Sequence, residues 1–271
     1  MRKLLLIAAL IAVALPLCGA EPVRVVATSA VLGNIAEEVG GDAVAVTVII
    51  PPGFCPAHYD LKPSDLMAVA RAELVLYHGI EPWLEAFLSR VNPDATVLAL
   101  KGPWNTPDPL IAKAEAVAGA LANLRPDMAS AFAERKEAFV ERVRSLAAEV
   151  VQKAAELRLQ EIPAIVMQWQ AGFAKWLGLA VVATYPPEER LSLKDLTELV
   201  AKGREAGAML VIDNLQSGVS FGAKLAHALG AMHVVLTNFP GALPGTADLL
   251  SMLARNTEAV FSAVEALRET P

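Results

Sequence analysis

Cys55 and His58 stand three residues apart in "PPGFCPAHYDLKPSDL" (51–66), between a glycine and several prolines. A cysteine thiolate and a neutral imidazole both bind soft or borderline metal ions. A tight site asks for three or four ligands, so the pair alone is half a site; a small buried cysteine beside a solvated histidine is its ordinary alternative. The other three histidines are less suggestive. His78 ends the run "LVLYH", as a pocket wall or as a polar strand end. His227 lies in "AKLAHALG" and His233 opens "HVVL"; both read as structural or exposed.

A second pattern is nucleophilic. Gly218-Val219-Ser220-Phe221-Gly222 matches the G-x-S-x-G elbow, which needs a strand running straight into the serine, then an acid, then a histidine. Here the preceding strand ends near Asp213, and His227 and His233 precede Asp248, so a glycine- and serine-rich helix start is expected instead. No G-x-G-x-x-G follows a strand and no phosphate loop is present, which leaves nucleotide chemistry without support.

The elements that must position these residues alternate. "VRVVATSA", "VAVTVII", "ELVLYHG" and "TVLAL" read as β-branched or apolar strands, with helices in "VLGNIAEEVG", "PSDLMAVARA" and "EPWLEAFLSRV" between them. Proline-rich "KGPWNTPDPL" leads into a further helix. From Pro126 to about Gln160, Phe132, Phe139, Val143, Leu146, Val150, Ala154 and Leu157 recur mostly by three, four or seven, without an interrupting Gly or Pro. That predicts one amphipathic helix of about 50 Å. Alternation then resumes with strands "AIVMQ", "LAVVATY", "AMLVID" and "HVVL"; Ser192 and Asp195 are placed to cap one of the intervening helices, and "TADLLSMLARNTEAVFSAVEAL" closes the chain as a helix. Two βα arrays bridged by one long helix give an α/β fold of two Rossmann-like parallel-sheet lobes with a ligand cleft between them. Ligands in such sheets lie beyond the carboxyl ends of strands, here the loops after Ile50, Leu100, Val166 and Leu236.

The chain has 271 residues, is 55% hydrophobic and carries a net charge of -6, without a Lys/Arg stripe; a nucleic-acid partner is not expected. "MRK", "LLLIAALIAVALPL" and "CGA" form a secretory signal over residues 1–20, cut after Ala20. Cleavage removes Arg2 and Lys3 and takes the net charge to -8. Lipidation at Cys18 is the minority reading, since Leu17 stands where a small residue is usual. With Cys18 gone, Cys55 is the sole cysteine and an internal disulfide is ruled out. The expected organisation is a signal over 1–20, an N-terminal lobe over 21–125, the long helix over 126–160 and a C-terminal lobe over 161–271.

In order along nearly the whole chain after residue 20, the sequence resembles the zinc- and manganese-binding proteins of bacterial ABC uptake systems. "PPGFCPAHYDLKPSDL" resembles their G-x-x-x-H-x-Y-x-x-x-P-S-D. "AELVLYHG" looks like "ADLVFYNG", "DPLIAKAEAVAGAL" like "DPLNAK", and "FAKWLGLAVVATY" like "FAKRYGL"; "SLKDLTELV" and "VVLTNFPGAL" have counterparts too. The resemblance implies two lobes on one rigid helix, a metal ion in the cleft, no catalysis, a monomer in the periplasm, and delivery to an ABC permease in the inner membrane.

It also implies ligand positions. The family's first histidine falls at Ala57 or, one residue on, at His58; the second at Trp104 or Asn105; the third near Met167 or Gln168; the final aspartate at Thr237 or Asn238. At most one of the four is retained. The expected metal ligands are therefore His58, Cys55, Gln168 and Asn238, with Trp104, Asn105, Met167, Trp169, Gln170 and Asp213 lining the cleft. Zinc is the expected ion, with manganese or copper as alternatives; Met167 beside Cys55 and His58 would favour Cu(I). A cleft that has lost its metal and holds an organic molecule against Trp104, Trp169, Gln168 and Gln170 is the other reading. Trp176, in "AKWLGL", is expected to pack in the core.

Overall fold

The computed structural model describes residues 21–81 and 83–269. The signal segment 1–20 and Cys18 lie outside the described residues. Two four-stranded, wholly parallel sheets carry the fold. The first contains β1 (Val23–Ala27), β2 (Val44–Val48), β3 (Leu74–Tyr77) and β4 (Thr96–Ala99) in the order β2-β1-β3-β4. The second contains β5 (Pro163–Met167), β6 (Ala180–Tyr185), β7 (Leu210–Asn214) and β8 (Met232–Leu236) in the order β6-β5-β7-β8. The two orders are the same, so each lobe reverses winding direction beside its first strand. β3 and β7 are buried along their whole length, as strands covered by helices on both faces must be.

Helices α1 (Ala30–Gly40), α2 (Pro63–Arg71), α3 (Leu84–Val91) and α4 (Pro107–Leu124) belong to the first lobe. Helices α6 (Ala171–Trp176), α7 (Leu193–Ala206) and α8 (Ser220–Leu229) belong to the second, and α9 (Leu249–Glu269) follows β8. Their starts are chemical. The Ser29 hydroxyl caps α1, and Ser192 and Asp195 close a reciprocal capping box on α7, as their spacing predicts. α7 ends on Gly207 at φ 63, a left-handed conformation that glycine adopts without cost.

The long helix α5 runs from Ala129 to Glu156, shorter than the expected span of 126–160. Pro126–Met128 and Leu159–Glu161 are separate 3-10 turns. The break at the far end has a local cause: Arg158 has φ 44, which carries the chain out of the helix. Phe132, Phe139, Val143, Val150 and Ala154 face inward, as the periodicity predicts. Through them one apolar cluster runs continuously from β1 and α1, by α4 and α5, to β5, β7 and α9. The Asn34 side-chain oxygen accepts from the Leu249 N–H at 3.0 Å, pinning the start of α9 to α1 of the other lobe. Trp176 packs against Phe173 at 5.6 Å on the edge of this core, as expected. Among the described residues no helix is long and apolar enough to cross a membrane.

Phe139 is fully buried where α5 meets the shared core. Phe139→Ala should lower unfolding free energy by about 3–5 kcal/mol, measured by urea denaturation. A cost below about 1 kcal/mol would mean that α5 is not a core element.

Candidate functional site

The carboxyl ends of both sheets converge on one polar contact. On the first lobe, β1 runs into Thr28 and Ser29, and β3 runs into His78; these two loops flank the position where strand order reverses. Thr28 donates from its hydroxyl to Glu81 at 2.6 Å, and the Glu81 carboxylate also accepts from the backbone N–H groups of His78 and Ile80. His78 Nε2 is 2.7 Å from the Ser29 hydroxyl, and its ring lies against Trp104 with centroids 4.1 Å apart. Phe239 of the second lobe completes the stack, 5.7 Å from Trp104. His78 is thus a wall residue, 1% exposed.

Amides occupy the centre. The Asn105 side-chain NH2 faces three acceptors of the second lobe: the Trp169 carbonyl at 3.1 Å, Gln170 Oε1 at 3.2 Å and Asn238 Oδ1 at 3.3 Å. Gln170 Nε2 donates to Asn238 Oδ1 at 2.9 Å and to Asn214 Oδ1 at 3.1 Å. Trp104 Nε1 donates to the Asn238 carbonyl at 2.9 Å. Gln216 adds a further tie: its Nε2 donates to the Pro52 carbonyl and to the Thr237 hydroxyl, while its oxygen accepts from the Asn238 N–H. Asn105, Gln170, Asn214 and Asn238 are all buried.

Of the expected ligands, Asn238 lies in this cluster, but its side-chain oxygen is already shared by Asn105 and Gln170. Gln168 is half-buried; the neighbouring amide that reaches the cluster is Gln170. Cys55 precedes the 3-10 turn Pro56–His58 and His58 ends it, with Cys55 half-buried and His58 exposed. The His58 N–H donates to the Cys55 carbonyl at 3.1 Å. Among the described residues no group of three or more His, Cys, Asp and Glu is placed to hold a metal ion. Met167 is buried, and its sulfur accepts from the Trp169 N–H at 3.2 Å. Trp169 is 56% exposed, and its backbone carbonyl meets Asn105.

Asp213 turns away from the cluster into the second lobe. Strand alternation sends Asn214 toward Gln170 and Asp213 toward Tyr185 and His233. Its carboxylate accepts from the Tyr185 hydroxyl and pairs with His233 Nε2 at 2.7 Å, and burial, with Asp213 adding to it, pushes the Tyr185 hydroxyl pKa upward. A side-chain carbon on Gly222 would lie 2.1 Å from an Asp213 oxygen, so this glycine makes room for the carboxylate at the start of α8. The G-x-S-x-G match ends there. Ser220 opens α8 and donates to Glu188, and His227 is exposed on the same helix.

Sequence reasoning missed Asn214 and Gln216. Asn214 ends β7 and Gln216 follows it, and the rule that draws attention to strand carboxyl ends applies there as it does after β5 and β8.

Burial pushes the His78 pKa down to about 3, with Lys113 adding a smaller repulsion. The folded state then binds its proton less readily than the unfolded chain. The stabilisation is present above the unfolded value near 6.5 and is lost as pH falls toward 3. Between pH 7 and pH 4 this single group should cost on the order of 3 kcal/mol. Urea denaturation at both pH values should show that loss, and His78→Asn should remove most of it; an unchanged slope in the variant would contradict a buried neutral imidazole.

Comparison with known proteins places this geometry. The chain resembles the iron-binding protein YfeA of Yersinia pestis, at 27% identity over 54% of this chain and 51% of that protein. It is 35% identical to the high-affinity zinc uptake system protein ZnuA of Paracoccus denitrificans over 36% of this chain and 30% of that one. The matched segments thus span about half or less of these relatives' length. Among them an organic-ligand reading of the cleft finds no counterpart. In structure, the chain superposes on a ZnuA crystal structure with a TM-score of 0.77 and 24% identity, covering 90% of this chain and 100% of that one. It superposes on a cadmium-bound periplasmic metal-binding protein of Candidatus Liberibacter asiaticus with a TM-score of 0.80 and 15% identity, at the same coverage. Both likenesses establish the two-lobed fold. The model of the family described as zinc-uptake complex component A, periplasmic, matches residues 25–263. The chain belongs to that family, the metal-binding substrate-binding proteins of ABC transporters.

Proposed function

We propose that this protein is the extracytoplasmic solute-binding component of an ABC importer, and that its cargo is a transition-metal ion taken at the Cys55–His58 turn. The observation that carries the reading is the placement of the two ligand-type side chains. Cys55 immediately precedes the 3-10 turn Pro56–His58, and the His58 N–H donates back to the Cys55 carbonyl at 3.1 Å, so one short turn carries both. The loop that presents them leaves β2 at the mouth of the cleft, where the Pro52 carbonyl accepts from Gln216 of the other lobe. Waters or nearby carbonyls would complete the coordination. A thiolate with an imidazole suits zinc and, among softer ions, Cu(I); manganese prefers oxygen ligands.

In this reading residues 1–20 direct export and are removed, and the lobes 21–125 and 161–271, joined through 126–160, work as a monomer in the periplasm. The loaded protein hands its ion to a permease in the inner membrane. No step is catalytic. Ser220, held by Glu188, plays no part.

Elemental analysis of protein purified without a metal-affinity tag tests the cargo. Wild type should carry about one equivalent of zinc or copper, and Cys55→Ser should lose most of it. Trace metal in both, with no thermal shift on adding Zn, Mn or Cu(I), would refute a metal cargo.

A further inference from the structure

We propose that the buried amides of Asn105, Gln170 and Asn238 form a cargo-independent latch that holds the two lobes closed. The latch stands whether or not Cys55 and His58 carry a metal ion.

Trp104 and Asn105 come from the loop after β4; Gln170 follows β5, Asn214 ends β7 and Asn238 follows β8. Asn105 spans the boundary to three acceptors of the second lobe, and Trp104 spans it to the Asn238 carbonyl. Gln216 spans it in the opposite direction to the Pro52 carbonyl. Behind the boundary, Gln170 ties Asn238 to Asn214, and Asn214 Nδ2 donates to Ser217 at 2.9 Å, so the acceptor side is fixed before Asn105 meets it.

The chemistry of the cluster separates a latch from a binding site. A metal centre gathers acidic or imidazole ligands whose charge and lone pairs are balanced only when the ion is present. These amides are neutral, and Asn105 and Gln170 donate to neighbouring amide oxygens and to a backbone carbonyl. Closing them together buries no charge, and the hydrogen bonds gained match the groups taken from water. Opening the lobes would strip Asn105 of all three acceptors at once. Nothing in that exchange calls for a ligand.

Amide hydrogen exchange on the full chain tests this, with excess EDTA and with excess zinc. Wild-type segments 102–106, 168–171 and 237–240 should exchange at the same rates in both conditions. Asn105→Ala should accelerate exchange in all three segments by about tenfold, while β1, β3, β5 and β7 keep wild-type rates. Trp104→Phe removes one cross-lobe donor and keeps an aromatic ring on His78, and should accelerate 102–106 and 237–240 about threefold. It carries the test if Asn105→Ala does not fold. Wild-type segments that loosen in EDTA and tighten in zinc would overturn the proposal, as would unchanged rates in the folded variants.

Discussion

The contact of Asn105 with Gln170 and Asn238 fixes how the two halves of this chain meet. Each amide stands at the carboxyl end of a strand or in the loop just beyond it, so the contact forms only if both sheets present those ends to one another. The shared apolar core along α5 and the tie from Asn34 to Leu249 help to set that approach. The aromatic stack of His78, Trp104 and Phe239 then excludes water from one flank of the amides. Without water to compete, the hydrogen bonds are worth more, and leaving any of them unmade costs more.

Electrostatics gives the arrangement its character. A two-lobed binding protein that closes on a cation must bring together groups that repel one another when the cation is absent. Here the groups at the centre carry no charge. His78, stacked on Trp104, is held neutral by burial, and its Nδ1 has no hydrogen-bond partner among the described residues. Cys55 and His58, whose side-chain types suit soft metals, are half-buried and exposed respectively, at the start and end of a short turn. In the proposed reading, holding the lobes together and holding cargo, which one set of ligands could serve at once, fall to different residues.

Much of the architecture was readable from local rules. Ser192 with Asp195 marked the start of α7, and the spacing of Phe132, Phe139 and Val143 marked the buried face of α5, because capping and helical period act within a few residues. The end of α5 was misjudged because Arg158 adopts a left-handed conformation that no residue type there announces. At the site, Asn238 was expected as a ligand, and Asn105 and Gln170 as residues lining the cleft. Their bonding was not visible, since the partners lie 65 to 133 residues apart in the chain. Asp213 and Asn214 show the limit of reading by proximity. One residue of offset on β7 turns the first toward His233 and the second toward Gln170.

An amide latch keeps the lobes together without cargo. Small-angle scattering of the full chain, recorded in EDTA and again in excess zinc, measures that in one comparison. The two curves should superimpose, with a radius of gyration near that of a closed chain of this size, about 18 Å. An expansion in EDTA that zinc reverses would show that the ion, and not the amides, closes the cleft.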